Sequence, residues 1–300
     1  MKDIVKMLIC VGSCMIVLPI FVVYLSGITT QKNIEETPKI EQVQEKKDIM
    51  NEETLVGILA KEIPYTYEKE ALKAQAVVTR SYMARRILGI QTNGAVVGYT
   101  VEEMKDLWGD DYTRIYNIYQ NAVEETKSIL IMYDSKPIEA LYHEASSGKT
   151  RDGKSVYKKE IPYLKSVESS VDKITEQVNV SKEKIVASIK EKYPSLVASA
   201  STIENQIQIV SKDEAGYVDV IQVGNITLTG EEVRTMFQLP SCAFKIHSSG
   251  DDLIFDVKGK GDGIGLSQNG ANELAKQGML YEEIIKYYYT DVTLEEYEVQ

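Results

Sequence analysis

Residues 57–88 read GILAKEIPYTYEKEALKAQAVVTRSYMARRIL, and the rest of the chain is arranged around them. The stretch divides into the end of a short helix, a break at Glu62-Ile63-Pro64-Tyr65, and a longer helix that starts near Thr66. Pro64 cannot continue a helix through its own nitrogen and pushes the preceding residue towards extended geometry, so Glu62 falls at a helix C-terminus. Thr66 reads as the N-cap of the second helix, with Glu68 and Glu70 in a first turn where the dipole favours negative charge. Gly89 follows the last periodic residue and supplies the stop. Ala71, Leu72, Ala74, Gln75, Ala76, Val78, Thr79, Tyr82 and Met83 crowd one broad face, whose small residues admit another element at close range.

Glu62 differs from the other acids in this stretch because Ala60, Ile63 and Pro64 flank it. At the negative end of a helix dipole and beside apolar groups, its ionised form is disfavoured, which suits a general acid. The plainer reading of the same residue is a surface glutamate at a helix end.

A chain of 300 residues, 43% hydrophobic and 26% charged, has room for one large domain or two small ones. Its net charge of -11 argues against nucleic-acid binding, which needs a basic face. Of three cysteines, Cys10 and Cys14 lie in an N-terminal apolar segment, and Cys242 alone cannot form an intramolecular disulfide. His143 and His247 are the two histidines, and no CxxC or HExxH spacing occurs, so neither a metal nor another cofactor is expected.

Residues 7–28 carry no charge and suffice to cross a bilayer as a helix, with Lys2 and Lys6 on the side that stays cytoplasmic. This gives a cytoplasmic stub and single-pass anchor over 1–28, a polar tether over 29–51, and an extracytoplasmic folded domain over 52–300. A cleaved signal peptide is the competing reading, disfavoured by the length of the apolar run and by the lack of an A-x-A site after it.

Within the domain, 101–108 and 112–127 read as helices. Residues 128–133 and 138–142 read as a hairpin about Asp134-Ser135-Lys136-Pro137, ending in the polar run His143 to Thr150. An amphipathic helix follows over 180–193. Strands are expected at 203–210, 217–223 and 226–228, a helix at 229–237, and a hairpin from 243–247 and 253–258. Then comes Gly259-Lys260-Gly261-Asp262-Gly263-Ile264-Gly265, a helix ending near Gly278, and a last helix over 282–289. The glycine spacing fits neither a dinucleotide nor a Walker loop. Alternating glycines instead let backbone pass close to another element or a ligand. The fold class is α+β, with helices and antiparallel sheet mixed.

Four blocks together resemble the SpoIID/LytB domain family: residues 62–82, EIP...EALKAQAVVTRSY; 140–150, ALYHEASSGKT; 228–241, LTGEEVRTMFQLPS; and 261–278, GDGIGLSQNGANELAKQG. They occur in the family's order across nearly the whole ectodomain. The resemblance implies a membrane-anchored lytic transglycosylase that cuts peptidoglycan glycan between MurNAc and GlcNAc during engulfment, in a spore-forming bacterium. It places the family's catalytic glutamate on Glu62. It also implies groove or scaffold roles for Arg80, Tyr82, Tyr142, His143, Ser146, Gly148, Thr150, Ser267 and Gln268. Tyr65, Tyr82 or Trp108 would suit stacking on sugar faces. The implied partners are glycan strands, the amidase SpoIIP and the membrane protein SpoIIM, and the implied location is the engulfing membrane of the mother cell.

Two positions depart from the family pattern: Asp262 stands where histidine is common, and Asn269 where tyrosine is common. Some relatives hold zinc near the Tyr-His block, whereas Ala145, Ser146 and Ser147 offer no thiolate here. The departures motivate a rival reading, a wall-binding or amidase-stimulating module without enzymatic activity.

Overall fold

The computed structural model describes residues 51–90, 96–172 and 174–297. The anchor expected over 1–28 and the tether expected over 29–51 lie outside the described residues, apart from Asn51. Among the described residues no helix is long and apolar enough to cross a membrane.

Asn51 caps helix α1 (Glu52–Glu62), its side chain accepting from Glu53 N at 3.1 Å. As Pro64 requires, α1 ends at Glu62, and Ile63 is extended at φ -139° and ψ 138°. Helix α2 (Lys69–Ile87) starts later than Thr66 suggests. Glu68 is its N-cap and makes no side-chain cap; the Glu68 N–H is instead met by Asn272 Oδ1 at 2.7 Å. A partner from far along the chain has replaced the local cap signal. Gly89, at φ +68°, ends the helix as expected.

The single buried face expected of α2 is too narrow a description. Gln75, Thr79, Arg80 and Ser81 are buried along with the apolar residues, because neighbours enclose the helix on all sides. Buried polar groups need partners, and these have them. Ser81 Oγ donates to Val77 O at 2.7 Å and accepts from Ile131 N of strand β1 (Ile129–Tyr133) at 2.8 Å. Helix α3 (Val101–Trp108) opens on a Thr100–Glu103 capping box and leads into α4 (Tyr112–Glu124).

A tight turn with Asp134 and Ser135 both at positive φ joins β1 to β2 (Lys136–Pro137). The expected strand over 138–142 leaves that hairpin after Ile138. After one more bond to β1, Ile138 N donating to Ile131 O at 3.0 Å, phenols meet its backbone: Glu139 N donates to Tyr163 Oη at 3.1 Å, and Leu141 O accepts from Tyr289 Oη at 2.5 Å as well as from Leu266 N at 3.0 Å. The chain emerges as β3 (Tyr142–His143), which pairs in parallel with β10 (Leu266–Ser267). The last strand, β11 (Thr293–Glu296), returns to β1 and completes the order β11-β1-β2. Short helix α5 (Gly153–Tyr157) follows the polar run.

Residues 174–258 build a second hydrophobic core around Ile185, Tyr217, Ile221, Phe244 and Phe255. Strands β4 (Thr175–Ser181), β9 (Asp252–Lys258) and β8 (Phe244–Ser249) form one antiparallel sheet. A second contains β5 (Ile207–Lys212), β6 (Val218–Val223) and β7 (Ile226–Thr229). The helix expected over 180–193 begins only at Lys182 (α6, Lys182–Lys192), since Ser181 caps it and 175–181 is strand. Helix α7 is Gly230–Phe237.

The glycine run carries the chain back from β9 to β10 and into α8 (Gln268–Lys276) and α9 (Tyr281–Tyr288). The close approach that its alternation implies is present. A Cβ on Gly261 would lie 2.7 Å from His143 Cβ, and one on Gly265 would collide with Leu141 O. Only glycine lets the loop run against the end of the Tyr142–His143 strand.

Candidate active site

Glu62 ends α1, where helix carbonyls have no intrahelical partner. Gln268 Nε2 donates to Glu62 O at 3.0 Å, and Tyr119 Oη donates to Ile63 O at 2.6 Å. The break is therefore pinned by α8 on one side and α4 on the other. Gln268 Nε2 also reaches Gln75 Oε1 at 3.3 Å, which ties the pin to α2. The Glu62 side chain is half-buried, and its Oε2 accepts from Tyr142 Oη at 2.9 Å. Burial, reinforced by the Glu62 charge and by nearby Tyr82, pushes the Tyr142 phenol well above its usual range, so it remains a neutral donor.

The Glu62 carboxylate opens into a cavity of about 320 Å³, lined by Ala60, Lys61, Ile63, Pro64, Tyr67, Glu144 and Gln268. Glu144 is the second carboxylate of this cleft, and Lys260 Nζ pairs with it at 2.8 Å. Tyr67 hydrogen-bonds Asn269, and burial raises its phenol pKa, so it too presents a neutral hydroxyl. The cleft thus contains one carboxylate held by a phenol and another held by an ammonium.

Of the residues singled out from sequence, Glu62, Tyr142 and Gln268 come together, with Tyr82 beside Tyr142. The others stand elsewhere. Strand alternation turns His143 inward from Tyr142. It is 4% exposed, its Nδ1 is 3.0 Å from Ile264 O, and its Nε2 has no hydrogen-bond partner among the described residues. Burial lowers its pKa, and a carbonyl partner can only accept, so the ring is neutral with its proton on Nδ1. Arg80 is 3% exposed and donates to Thr126 O at 2.7 Å and Val123 O at 3.1 Å, closing the end of α4. Of the groove and scaffold roles expected for Arg80, this burial favours the scaffold one, a clamp within the core.

Ser146 and Ser267 are likewise spent on the protein. Asp172 Oδ2 accepts from Ser146 N at 3.0 Å, Ser146 Oγ at 2.7 Å and Ser169 Oγ at 2.9 Å, and its Oδ1 accepts from Ser267 Oγ at 3.0 Å. Gly148 N donates to Ser146 Oγ at 3.1 Å, and Thr150 Oγ1 accepts from Val167 N at 2.8 Å. These residues hold the polar run in shape behind the cleft. Asp172→Ala would leave three hydroxyls and an N–H without their acceptor. It is expected to cost about 3 kcal/mol in urea unfolding, and a loss below about 1 kcal/mol would count against the network.

Trp108 stacks on Tyr112 and Tyr119 at centroid distances of 6.3 and 6.0 Å, and the Arg114 guanidinium covers Tyr65 at 5.7 Å. Both belong to the packing of the first helices, and Tyr67 is the aromatic that lines the cleft. Reasoning from sequence missed Tyr67 and Glu144. The period of a strand contained the signal for Glu144, since it shares the parity of Tyr142.

A model of the SpoIID family, described as stage II sporulation protein, matches residues 39–133. Stage II sporulation protein D of Bacillus subtilis (strain 168) is 30% identical over 265 residues, covering 84% of this chain and 76% of the relative. The protein of the same name from Bacillus amyloliquefaciens is 30% identical over 262 residues, covering 83% and 75%. The amidase enhancer of Bacillus subtilis (strain 168) is 26% identical, covering 81% of this chain but 40% of its own length. With this identity sustained over most of both chains, the chain belongs to the SpoIID family.

Proposed function

We propose that this protein is a peptidoglycan lytic transglycosylase acting in sporulation, with Glu62 as its single acid and base. One observation supports the reading most: Glu62 is the carboxylate held by Tyr142, and the other carboxylate of the cleft, Glu144, is already paired with Lys260. Ordinary glycosidases use two carboxylates. A transglycosylase needs one, because the nucleophile is the substrate's own hydroxyl.

In the proposed reaction, protonated Glu62 gives its proton to the glycosidic oxygen between MurNAc and GlcNAc, and the C1–O bond breaks. The MurNAc six-hydroxyl oxygen then bonds to C1, and its proton passes to the Glu62 carboxylate. A 1,6-anhydro ring closes, Glu62 is protonated again, and no water is consumed. Tyr142 holds Oε2, which leaves Oε1 as the oxygen that exchanges the proton. Gln268 and Tyr119 position the backbone that carries it. Under this reading Tyr142→Phe lowers turnover about 10-fold with KM little changed, because the bond it removes aims the acid and does not bind sugar. An unchanged turnover would remove Tyr142 from the mechanism.

The same reading takes the protein as anchored through residues 7–28, with its domain facing the wall at the engulfing membrane. It would act beside an amidase of the SpoIIP kind, which removes stem peptides, and the membrane protein SpoIIM. The amidase enhancer among the relatives, together with Asp262 and Asn269, motivates the rival reading of a non-enzymatic module that stimulates an amidase. Incubating the purified protein with intact and with amidase-treated wall separates the two. Release of anhydro-muropeptides from the treated wall supports the enzyme. Amidase stimulation without such release, unchanged in Glu62→Gln, supports the rival.

A further inference from the structure

A larger cavity, about 630 Å³, lies on the sheet of the second core and is lined by Lys212, Lys245 and Lys258 among others. Register and alternation explain the grouping. Lys245 of β8 lies opposite Asp256 of β9, and Lys258 is two residues further along β9 on the same face. Asp256 is already engaged, accepting from Gln177 Nε2 at 2.6 Å and lying 3.1 Å from His247 Nδ1. Glu176 also lines the cavity, and its charge acts on Lys260 as well, though less than that of Glu144.

Among the described residues none of the three lysines has an ion-pair partner, and Lys212 Nζ donates to the Phe244 carbonyl at 2.8 Å. Burial and the charges of Lys245 and Lys258 lower the Lys212 pKa. A chain of net charge -11 thus gathers three ammonium groups about one cleft, against the two carboxylates of Glu176 and Asp256.

This cleft adjoins the Glu62 cleft. The two flank the antiparallel bridge between Ala145 and Lys260. On one strand Glu144 lines the first and Ser147 the second; on the other, Lys258 lines the second and Lys260 pairs with Glu144. Glu144 and Ser147 are separated by at most about 10 Å of backbone.

We propose that the lysine cleft binds carboxylates borne by the glycan strand whose sugars occupy the Glu62 cleft, an inference that rests on the function proposed above. Muramic acid carries a lactyl carboxylate wherever its stem peptide has been removed, and a retained stem peptide supplies carboxylates of its own. Either source presents anions at regular intervals along a strand that spans both clefts.

The test compares the full-length protein with Lys245→Gln/Lys258→Gln. Both side chains are exposed, and an unchanged thermal midpoint shows that the fold is kept. Binding is measured to denuded strands, to peptide-bearing strands, and to denuded strands whose carboxylates have been converted to amides. The variant is expected to bind denuded strands about 5- to 30-fold more weakly, with a shallower salt dependence, and to bind amidated strands as the parent protein does. A loss confined to peptide-bearing strands assigns the carboxylates to the stem peptide and supports the cleft equally. Undiminished binding to both carboxylate-bearing strands overturns it. So does an equal loss on amidated strands, or tighter binding of poly(glycerol phosphate) than of either strand. Cleavage by Glu62→Gln is scored separately: if that protein still cuts, the proposed chemistry fails, whereas full binding by the lysine variant defeats the carboxylate cleft alone.

Discussion

Glu62→Gln is expected to lower the release of soluble fragments from denuded glycan by at least about 100-fold, with thermal stability and strand binding nearly unchanged. Glutamine keeps the shape of the side chain, and its amide oxygen still accepts from Tyr142, which lies 2.9 Å from Glu62 Oε2. It cannot give up or take on the proton that the chemistry requires. The Gln268 bond to the Glu62 carbonyl is a backbone contact and survives the change. The readout is therefore turnover at saturating strand, measured beside binding. Glu144→Gln is the comparison: its carboxylate is occupied by Lys260, so a far smaller loss is expected. Equal losses at the two positions would point to a two-carboxylate mechanism.

Gly265→Ala is expected to cost about 4 kcal/mol of stability and to lower the thermal midpoint by roughly 8–16 °C. Two effects add. The residue sits at φ +72°, where a side chain is strained, and the new Cβ would collide with the Leu141 carbonyl. Gly250→Ala separates them. Gly250 has φ +57° but nothing within 4 Å of an added Cβ, so strain alone applies and about 1 kcal/mol is expected. The two substitutions behaving alike would show that the strand end and the glycine loop are not in tight contact. Because Leu141 precedes Tyr142, and Gly265 lies three residues before Gln268, parting these strands also moves two of the groups that hold Glu62. Activity should fall further than stability predicts.

What was legible in the sequence follows from the range over which each signal acts. Pro64 ended α1 through a local steric rule, Gly89 ended α2 by its backbone freedom, and the glycine alternation announced a close approach. The start of α2 was not legible from Thr66, because the Glu68 N–H is satisfied by Asn272, about two hundred residues away. The same holds for β3, which is two residues long and exists through its pairing with β10. At the site, Glu62 stood out by its apolar flanks and Tyr142 and Gln268 by resemblance. The polar residues around them were harder to sort, because a serine that binds sugar and one that holds Asp172 look identical in sequence. Burial decides between them, and burial is a property of the fold.

In the proposed reaction Glu62 passes its proton to and from the substrate with no water taking part. The direct test is digestion of denuded glycan in heavy-oxygen water, followed by mass spectrometry of the new MurNAc ends. Anhydro ends that contain no heavy oxygen are expected at the earliest time at which product is seen. Reducing ends that have taken up heavy oxygen from the solvent would contradict this and identify the reaction as hydrolysis.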